Sequence, residues 1–324
     1  MSDGQRLLSA RNTAGTHSRL PWLLVALPVL LLTAEWAARV LFGLGNPVLY
    51  VSDPAIEYML RPNQDLRRFG KHVLVNQYGM RSAAFPEHKT SADELRVLVI
   101  GDSVVNGGNR ADQSQLATTL LQERLAAATQ RAVVVGNVAA GSWGPPNMLA
   151  WTHAFGFLAA DVVIVVLSSH DASDVPTFGP LDPITHPTSR PVSALLEGAV
   201  NYLPRLWSGE APDEGVAAEL RSDMRAPNAD ALDALRQLVR EARSAGACIG
   251  MVQHLTRAEL IGRPGPGHEA LGSLAGELGV MDRDDIRIPA AAAALYRDNI
   301  HFNDAGQRAL AGVLFEAVTR CAAQ

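Results

Sequence analysis

Three side chains in this sequence have the chemistry that nucleophilic catalysis requires. Ser103 follows Gly101 and Asp102 at the end of an apolar run, and Asp298 stands three residues before His301 near the end of the chain. A serine hydroxyl is a weak nucleophile until a base accepts its proton, and a third group holds that base in position. His301 could be the base and Asp298 its orienting partner. Taken alone, each segment is equally compatible with a helix-capping turn or a chance surface pair.

The segments around these residues predict buried strands that alternate with amphipathic helices. Short apolar, β-branched runs occupy residues 96–100, 132–138, 161–167 and 247–253, with a weaker fifth run at 279–282. Near-continuous apolar strands separated by helices are typical of a parallel sheet that is covered on both faces. We therefore predict an α/β protein with a three-layer α/β/α domain and a mostly parallel five-stranded sheet.

Polar and small residues cluster where the predicted strands end. They follow the first three strands at 101–103, 137–141 and 168–171, and a fourth polar segment, 298–301, lies before the last helix. Ligand-binding residues gather at the carboxyl ends of the strands in an open parallel sheet. The sheet would therefore bring the candidate nucleophile and the candidate base to the same edge.

Three of these blocks resemble the SGNH hydrolase superfamily, also called GDSL-type esterases and lipases. The first is Val-Leu-Val-Ile-Gly-Asp-Ser at 97–103, the second spans 137–141, and the last runs from Asp298 to Gly306 and contains the pattern His-x-Asn-x-x-Gly. The resemblance covers about residues 95–324 and implies a flavodoxin-like fold that hydrolyses ester bonds. A segment at 75–81 also resembles one that often precedes this domain in membrane-anchored bacterial members.

By position, the resemblance implies that Ser103 is the nucleophile, His301 the general base and Asp298 its orienting partner. It also implies an oxyanion hole formed by the backbone N–H groups of Ser103 and Gly141 and by a side-chain donor from the third strand end. Such donors stabilise the charge that develops on the carbonyl oxygen. Family members usually carry Asn as that donor, whereas this chain has His170. An imidazole can donate an N–H, so His170 could take this role or merely pack.

Other residues near the strand ends are candidates for the lining of a substrate pocket. We expect four of them there, namely Asn106, Ser142, Trp143 and Asp171. Ser142 is not expected to be the nucleophile, because Ala140 occupies the first glycine position of a Gly-x-Ser-x-Gly elbow. Asp171 and Asp174 have no second cluster of ligands near them in the sequence, so we expect no metal and no cofactor.

The amino-terminal segment is apolar enough to enter a membrane. Residues 21–34 carry no charge, and the apolar character resumes up to Leu44 after an interruption by Glu35 and Arg39. A retained anchor needs about 20 apolar residues, and the three arginines ahead of the segment favour a cytoplasmic amino end. A cleaved signal peptide and a buried amphipathic helix are the alternatives.

These patterns divide the chain into three parts. Residues 1–44 are the cytoplasmic amino end with the transmembrane helix or signal peptide, and 45–92 are a connector with short strands. Residues 93–324 form the catalytic domain, in which a long proline-rich insertion spans 172–228. A loop of that length in a compact domain is usually functional.

Composition excludes several classes of protein. The chain has 324 residues, of which 48% are hydrophobic and 19% charged, so it is neither a disordered chain nor a coiled coil. Beyond residue 44 it carries 24 basic and 31 acidic residues, a net charge of −7, and the whole chain has two lysines. Because binding to nucleic acid relies on clustered Lys and Arg, we expect no nucleic-acid partner. Cys248 and Cys321 are expected to be buried thiols, with one disulfide as the alternative in an exported protein.

Taken together, the sequence predicts a serine esterase that removes an acyl group, such as acetyl, from a sugar, an extracytoplasmic polysaccharide or another small ester. Two alternatives stay open. One is an O-acyltransferase, in which a sugar hydroxyl replaces water; the other is a non-catalytic component of a polysaccharide assembly or export system. The expected location is the bacterial inner membrane, with a single span and the domain in the periplasm or outside the cell. If the amino-terminal segment is cleaved, the protein would be secreted.

Overall fold

The computed structural model describes residues 20–203, 225–262, 264–280 and 292–322. Within these residues the strands, in chain order, are β1 (Tyr50–Asp53), β2 (Glu57–Leu60), β3 (Gln64–Arg68), β4 (Lys71–Val75), β5 (Leu95–Gly101), β6 (Val133–Ala139), β7 (Val162–Ser168) and β8 (Cys248–His254). The helices are α1 (Leu20–Phe42), α2 (Ser103–Asn106), α3 (Ala117–Thr129), α4 (Pro145–Phe155), α5 (Ala194–Asn201), α6 (Ala229–Ser244), α7 (Arg257–Ile261), α8 (Pro266–Leu278) and α9 (Asp304–Ala322).

Strands β5 to β8 form one parallel sheet in the order β6-β5-β7-β8. Every residue of β5 and of β7 is buried, as expected of strands that are covered on both faces. The predicted α/β fold class and the parallel sheet are confirmed, although the sheet in the described residues has four strands. The fifth strand predicted at 279–282 lies mostly outside them, because the description stops at Val280 just after α8.

Helices cover both faces of the sheet and give the three layers. Leu98 and Ile100 of β5 belong to one core with α4, α6 and α8, whereas Val97 and Val99 belong to a second core with α3 and α9. Successive side chains of a strand point to opposite faces, and each apolar face must be buried against another element. The layers therefore follow from the consecutive apolar residues 97–100 of the strand.

The two cysteines form a disulfide. Cys248, at the start of β8, is bonded to Cys321, near the end of α9, with their Cα atoms 5.6 Å apart. The expectation of buried thiols is therefore wrong, and the alternative of one disulfide is correct. The packing of α9 against β8 brings the two residues together although they are 73 positions apart. Disulfides of this kind persist in oxidising compartments.

Residues 45–92 contain two antiparallel hairpins, β1–β2 and β3–β4. Ile56, Tyr58, Met80 and Phe85 from this region belong to the same core as β5 and β7. The region therefore shares its packing with the sheet domain. The boundary at residue 92 stays a prediction.

Arg81, from the same region, holds the loop that follows α2. Its side chain is 1% exposed and donates hydrogen bonds to the carbonyl oxygens of Asn106 at 2.7 Å, Gly108, and Ala111 at 2.6 Å. Burial lowers the pKa of Arg81 to about 10. Because α2 begins at Ser103, this one guanidinium fixes the chain that leaves the candidate nucleophile.

Helix α1 is apolar and largely exposed. Its stretch Leu24–Phe42 has a mean hydropathy of 1.7, and 6% of its most apolar window is buried. By length and composition this stretch meets the requirements of a membrane span, a test that a signal sequence also passes. Glu35 and Arg39, which interrupt the apolar run, form an ion pair one turn apart.

We expect Arg81→Met to destabilise the fold. The substitution keeps a buried stem of similar length but leaves three carbonyl oxygens without their donor, and a lost hydrogen bond to a charged group costs about 1.5–3 kcal/mol. A loss of about 3 kcal/mol would lower the Tm of the full-length protein in detergent by roughly 6–12 °C. Arg67→Met, at an exposed position of β3, is the matched control and should leave Tm nearly unchanged. Equal Tm values for the two variants would contradict the role of Arg81.

Candidate active site

The candidate nucleophile lies on the turn between β5 and α2. Strand β5 ends at Gly101, and Ser103 is the first residue of α2. Asp102 caps this single helical turn, because its Oδ1 accepts the backbone N–H of Val104 at 2.8 Å. Ser103 therefore stands at the carboxyl end of a central strand, which is where ligands bind in open parallel sheets.

The fold brings the three residues predicted for catalysis into one line of contacts. His301 Nε2 lies 2.9 Å from Ser103 Oγ, and His301 Nδ1 lies 3.0 Å from Asp298 Oδ2. The side chains of Asp298 and His301 are each about one-fifth exposed. The imidazole is therefore held between a hydroxyl and a carboxylate, in the geometry by which a serine is activated.

Asp298 is held as a carboxylate by its own turn. Burial by itself raises the pKa of Asp298, but the imidazole of His301 and the backbone N–H groups of Ile300 and His301 outweigh it and lower the pKa well below its ordinary value. A lowered pKa contributes stability above the carboxyl's ordinary pKa, and this stability is lost as pH falls through the folded-state pKa. Asp298 is therefore ionised wherever the imidazole can act as a base.

The His-x-Asn-x-x-Gly pattern has a structural explanation. Asn303 Oδ1 accepts the backbone N–H groups of Ala305 at 2.9 Å and Gly306 at 3.1 Å, which starts α9. A Cβ on Gly306 would stand 2.4 Å from the carbonyl oxygen of Leu295 and 2.5 Å from the Phe302 ring. Glycine is required here by close approach, and the tight packing fixes the position of the catalytic turn relative to α9.

Ser103 and His301 open onto a cleft of about 490 Å³. Its lining comes from six parts of the chain and consists of Glu57, Tyr58, Ser103, Ser142, His170, Asp174, Val175, Thr177, Arg225, Ile300 and His301. Most of these side chains are polar or charged. The cleft therefore suits a substrate that carries many hydrogen-bonding groups.

The second predicted block reaches the cleft through the turn after β6. The carbonyl oxygen of Gly141 accepts a hydrogen bond from the Tyr58 hydroxyl at 2.6 Å, and Ser142 has a φ of +60°. A Cβ built on Gly141 would meet no atom within 4 Å, so the packing of the described residues does not require glycine there. A role for the Gly141 N–H in an oxyanion hole stays a prediction.

His170 lies in the cleft beside a buried carboxylate. It belongs to a short 3-10 turn, Ser169–Ala172, after β7, and its Nε2 lies 3.3 Å from Asp102 Oδ2 and 3.8 Å from Asp174 Oδ2. Burial raises the pKa of Asp102, but the hydrogen bond and the charge of His170 outweigh it and lower the pKa below its ordinary value. His170 therefore stabilises the charge next to the nucleophile, and its oxyanion role stays a prediction.

The pKa of the next residue, Asp171, is shifted in the opposite direction. Its side chain is fully buried, and its Oδ2 accepts the backbone N–H of Ser168 at 2.6 Å. Burial, reinforced by the negative charge of Asp102, raises the pKa of Asp171 well above its ordinary value. The pKa values of two neighbouring carboxyl groups are thus shifted in opposite directions, because only one of them is paired closely with His170.

The same three residues could offer ligands to a cation. Ligand atoms of Asp102, His170 and Asp171 lie within 4.8 Å of one another. The contact between His170 Nε2 and Asp102 already uses two of these atoms, and the raised pKa of Asp171 weakens the third as a metal ligand. The absence of a metal and of a cofactor stays a prediction.

Three of the four residues expected to line the pocket are placed elsewhere. Ser142 does line the cleft. Asn106 is buried and donates to the carbonyl oxygen of Ala139. Trp143 is buried and donates from Nε1 to the carbonyl oxygen of Tyr58, and Asp171 lies beneath the 3-10 turn. The prediction was wrong for Asn106, Trp143 and Asp171, because each side chain points inward to satisfy a backbone group.

The sequence analysis missed Glu57 and Tyr58, which reach the cleft from the hairpin β1–β2. Glu57 has a φ of +81°, and its Oε1 accepts the backbone N–H groups of Thr177 at 2.8 Å and Phe178 at 2.9 Å. Both residues lie in a region predicted to be only a connector. No local motif marks them, because their place in the site comes from the packing of the hairpin on the sheet domain.

Comparisons with known proteins give matches among solved structures alone. No protein-family model and no curated protein matches the chain. One similar structure is a two-domain esterase active on acetylated mannans, co-crystallised with mannopentaose, at 13% identity and a TM-score of 0.46, covering 72% of this chain and 51% of that one. Another is an acetyl xylan esterase, at 16% identity and a TM-score of 0.42, covering 69% of this chain and 100% of that one.

A third is a lipolytic protein of the G-D-S-L family from Veillonella parvula, at 13% identity and a TM-score of 0.41, covering 70% of this chain and 99% of that one. The chain thus spans about half the length of the two-domain esterase. At these identities and scores the similarities do not by themselves assign an activity. In its parallel sheet and in the order and placement of its motif blocks, the described domain resembles the SGNH/GDSL-type esterases.

We expect His170→Asn to change how stability depends on pH. In the unsubstituted protein the pKa of Asp102 is lowered, so its contribution to stability is complete above the ordinary carboxyl pKa and is lost as pH falls through the folded-state pKa. Without His170, burial dominates and raises the pKa of Asp102, so the folded state binds a proton that the unfolded chain releases. The free energy of unfolding should then fall with rising pH between about pH 4 and pH 6 relative to the parent.

Denaturant titrations of the full-length protein across this window would measure the effect. His153→Asn is the matched control, because His153 also pairs with a carboxylate, Glu241, but at an exposed position. The slope of the free energy of unfolding against pH should be the same for His153→Asn as for the parent. An identical slope for His170→Asn and the parent would show that His170 does not hold Asp102 in its charged form.

Proposed function

We propose that this protein is a serine esterase that hydrolyses acyl esters of carbohydrates outside the cytoplasm. The observation that carries the proposal is the line of contacts from Ser103 Oγ through both nitrogens of His301 to the carboxylate of Asp298. A hydroxyl, an imidazole and an ionised carboxylate in this order are the parts that acyl transfer through a serine requires.

The chemistry follows from this geometry. His301 Nε2 accepts the proton of Ser103 Oγ as Oγ bonds to the acyl carbon, and Asp298 stabilises the resulting imidazolium. The imidazolium then gives this proton to the departing alcohol oxygen, which leaves an acyl group on Ser103. In the second half, water attacks the acyl carbon and loses a proton to His301, and that proton returns to Oγ as the free acid leaves.

The oxyanion formed in each half needs donors at the cleft. The backbone N–H groups of Ser103 and Gly141 and an N–H of His170 are assigned to it. Removing one such donor typically costs about 10²–10³ in kcat.

The cleft supports a carbohydrate ester as the substrate. Glu57, Asp174, Thr177 and Arg225 supply acceptors and donors around the candidate nucleophile, and the hydroxyl groups of a saccharide need partners of both kinds. A small acyl group such as acetyl fits a cleft in which few apolar side chains lie near Ser103. The acetylated-mannan and acetyl-xylan esterases named above act on the same class of ester.

Two observations support a location outside the cytoplasm. Helix α1 is long and apolar enough to cross a membrane, and arginines at positions 6, 11 and 19 precede it, which favours export of the part that follows. The disulfide between Cys248 and Cys321 fits an oxidising compartment. The proposed arrangement is one retained span with the esterase domain on the outer side.

We expect Ser103→Ala to abolish both hydrolysis of 4-nitrophenyl acetate and covalent labelling by a fluorophosphonate. Without Oγ no acyl-enzyme or phosphonyl-enzyme can form, and the loss of a triad member lowers kcat by on the order of 10⁶-fold. Ser142→Ala is the matched control, because Ser142 lines the same cleft and should leave labelling intact. The modified residue would be located by peptide mapping.

The same assay separates the competing functions. No labelling of Ser103 in the folded parent would mean that the domain is not a serine hydrolase. A second outcome combines labelling of Ser103 with faster release of 4-nitrophenol in the presence of an oligosaccharide and recovery of the acyl group on the sugar. This outcome would assign acyl transfer to the protein instead of hydrolysis.

We expect Asp298→Asn to reduce kcat by on the order of 10⁴-fold while leaving the fold intact. The amide keeps the shape of the carboxylate but no longer favours the His301 tautomer that has Nε2 free to accept a proton. Asp304→Asn, on the same segment at the start of α9, is the control and should keep near-parental activity. Steady-state kinetics at about pH 8 with a short acyl ester would measure the difference, and a loss of less than tenfold for Asp298→Asn would remove Asp298 from the proposed triad.

A further inference from the structure

Helix α5 exposes its apolar side chains and buries its charged one. Leu196 and Val200 are 63% and 56% exposed, and their spacing of four residues places them on one side of the helix. Leu203, just beyond the end of α5, is 46% exposed. Ala194 and Glu197 lie on the other side and are buried. A surface helix of a water-soluble domain has the reverse arrangement.

The buried side of α5 is fastened to the chain just after α1. Glu197 accepts hydrogen bonds from the backbone N–H of Gly45 and from the guanidinium of Arg68, which also donates to the carbonyl oxygen of Gly43 at 3.0 Å and to the hydroxyl of Tyr202 at 2.9 Å. Both partners of the Arg68–Glu197 ion pair are almost fully buried. The outward orientation of the apolar side is therefore fixed by specific contacts.

The amino end of α5 is bonded to α1 itself. The carboxylate of Glu35 accepts the Ser193 hydroxyl at 2.9 Å and the backbone N–H groups of Ala194 at 2.8 Å and Leu195 at 3.0 Å. Arg39 donates to the carbonyl oxygen of Val192 at 2.9 Å and to Glu35 at 2.8 Å. The two charges that interrupt the apolar run of α1 are thus paired with each other and with the start of α5.

Other exposed apolar side chains continue this surface. Phe42 ends α1, and its carbonyl oxygen accepts the backbone N–H of Phe69 at the tip of the hairpin β3–β4. The Phe69 ring meets that of Tyr202 edge to face at 5.2 Å. We call this surface the outer apolar face, and it consists of Leu41, Phe42, Phe69, Leu196, Val200 and Leu203, all exposed.

We propose that the outer apolar face lies in the interfacial layer of the same bilayer that α1 spans, so that the domain contacts the membrane at α5 as well as through its anchor. The inference rests on the membrane anchoring proposed above. The proposal is supported by the direct contact of this face with the spanning helix. Helix α5 is bonded to α1 at Glu35, which lies seven residues, or about 10 Å along the helix, before Phe42. Interfacial helices bury their apolar side to a depth of about 5–10 Å.

The membrane contact at α5 also affects the orientation of the proposed active site. Helix α5 and the cleft residues Val175 and Thr177 belong to the same stretch of chain, 172–203. An anchor alone leaves a domain free to rotate about its tether, whereas two contacts set its orientation. The esterase cleft is therefore presented at a set angle to the membrane surface.

The test uses single cysteines in the full-length protein, labelled with an environment-sensitive nitrobenzoxadiazole dye. Leu196→Cys and Val200→Cys report on α5, Leu30→Cys reports on the anchor, and Glu123→Cys, at an exposed position of α3, is the aqueous control. The chain has no cysteine besides the pair in the disulfide. The protein is reconstituted in phosphatidylethanolamine–phosphatidylglycerol vesicles with and without doxyl-labelled lipid, and hydrolysis of 4-nitrophenyl acetate checks the fold of each labelled variant.

We expect blue-shifted emission and quenching by doxyl lipid at positions 30, 196 and 200, and neither effect at 123. Quenching at 30 without quenching at 196 and 200 would overturn the inference and leave the anchor in place. Blue-shifted but unquenched emission at 196 and 200 would mean that protein covers this side of α5, and would also overturn it. Absence of quenching at position 30 would remove the anchor and this inference together, without touching the esterase assignment.

Discussion

A contact of 2.9 Å between Ser103 and His301 joins two residues that are 198 positions apart in the chain. Misplacement of a reacting group by about 1 Å can cost 100-fold in rate, so the rest of the fold must hold this distance. The sheet fixes the end of β5, the guanidinium of Arg81 fixes the loop after the nucleophile, and the close approach at Gly306 fixes the turn that carries the base. Each of these constraints lies in the buried part of the fold.

The histidine at position 170 is better understood from its neighbours than from the family pattern. An Asn in its place would leave the carboxylate of Asp102, buried directly beside the nucleophile, without a cation. With His170 at 3.3 Å the carboxylate is paired, while burial and the charge of Asp102 raise the pKa of Asp171. The substitution therefore completes an ion pair beneath the cleft. The proposed oxyanion role would place a second function on the same ring.

Much of the fold and of the candidate site could be predicted because the signals are local. Four apolar strands, the turn at Ser103 and the Asp298–His301 pair are each encoded within a few residues, and one rule about strand ends brings them together. Glu57 and Tyr58 could not be predicted, since a hairpin far from the motifs delivers them through tertiary packing. The inward orientation of Asn106 has the same cause, because sequence spacing does not show which buried backbone group a side chain will satisfy. The sequence left the disulfide as an alternative only, since the packing of α9 against β8 brings the two cysteines together.

The stretch from 173 to 193 shows how such groups are satisfied when regular structure is absent. Carboxylates accept several backbone N–H groups at and within this stretch. Glu57 accepts those of Thr177 and Phe178 near the cleft, Asp182 accepts those of Ile184 and Thr185, and Glu35 of α1 accepts those of Ala194 and Leu195 at the start of α5. An irregular stretch held by carboxylates at its two ends keeps a defined shape between them. Residues 173–203 thus connect helix α1 to the cleft through these contacts, and their proline content is compatible with a defined shape because proline restricts the unfolded chain more than the folded one.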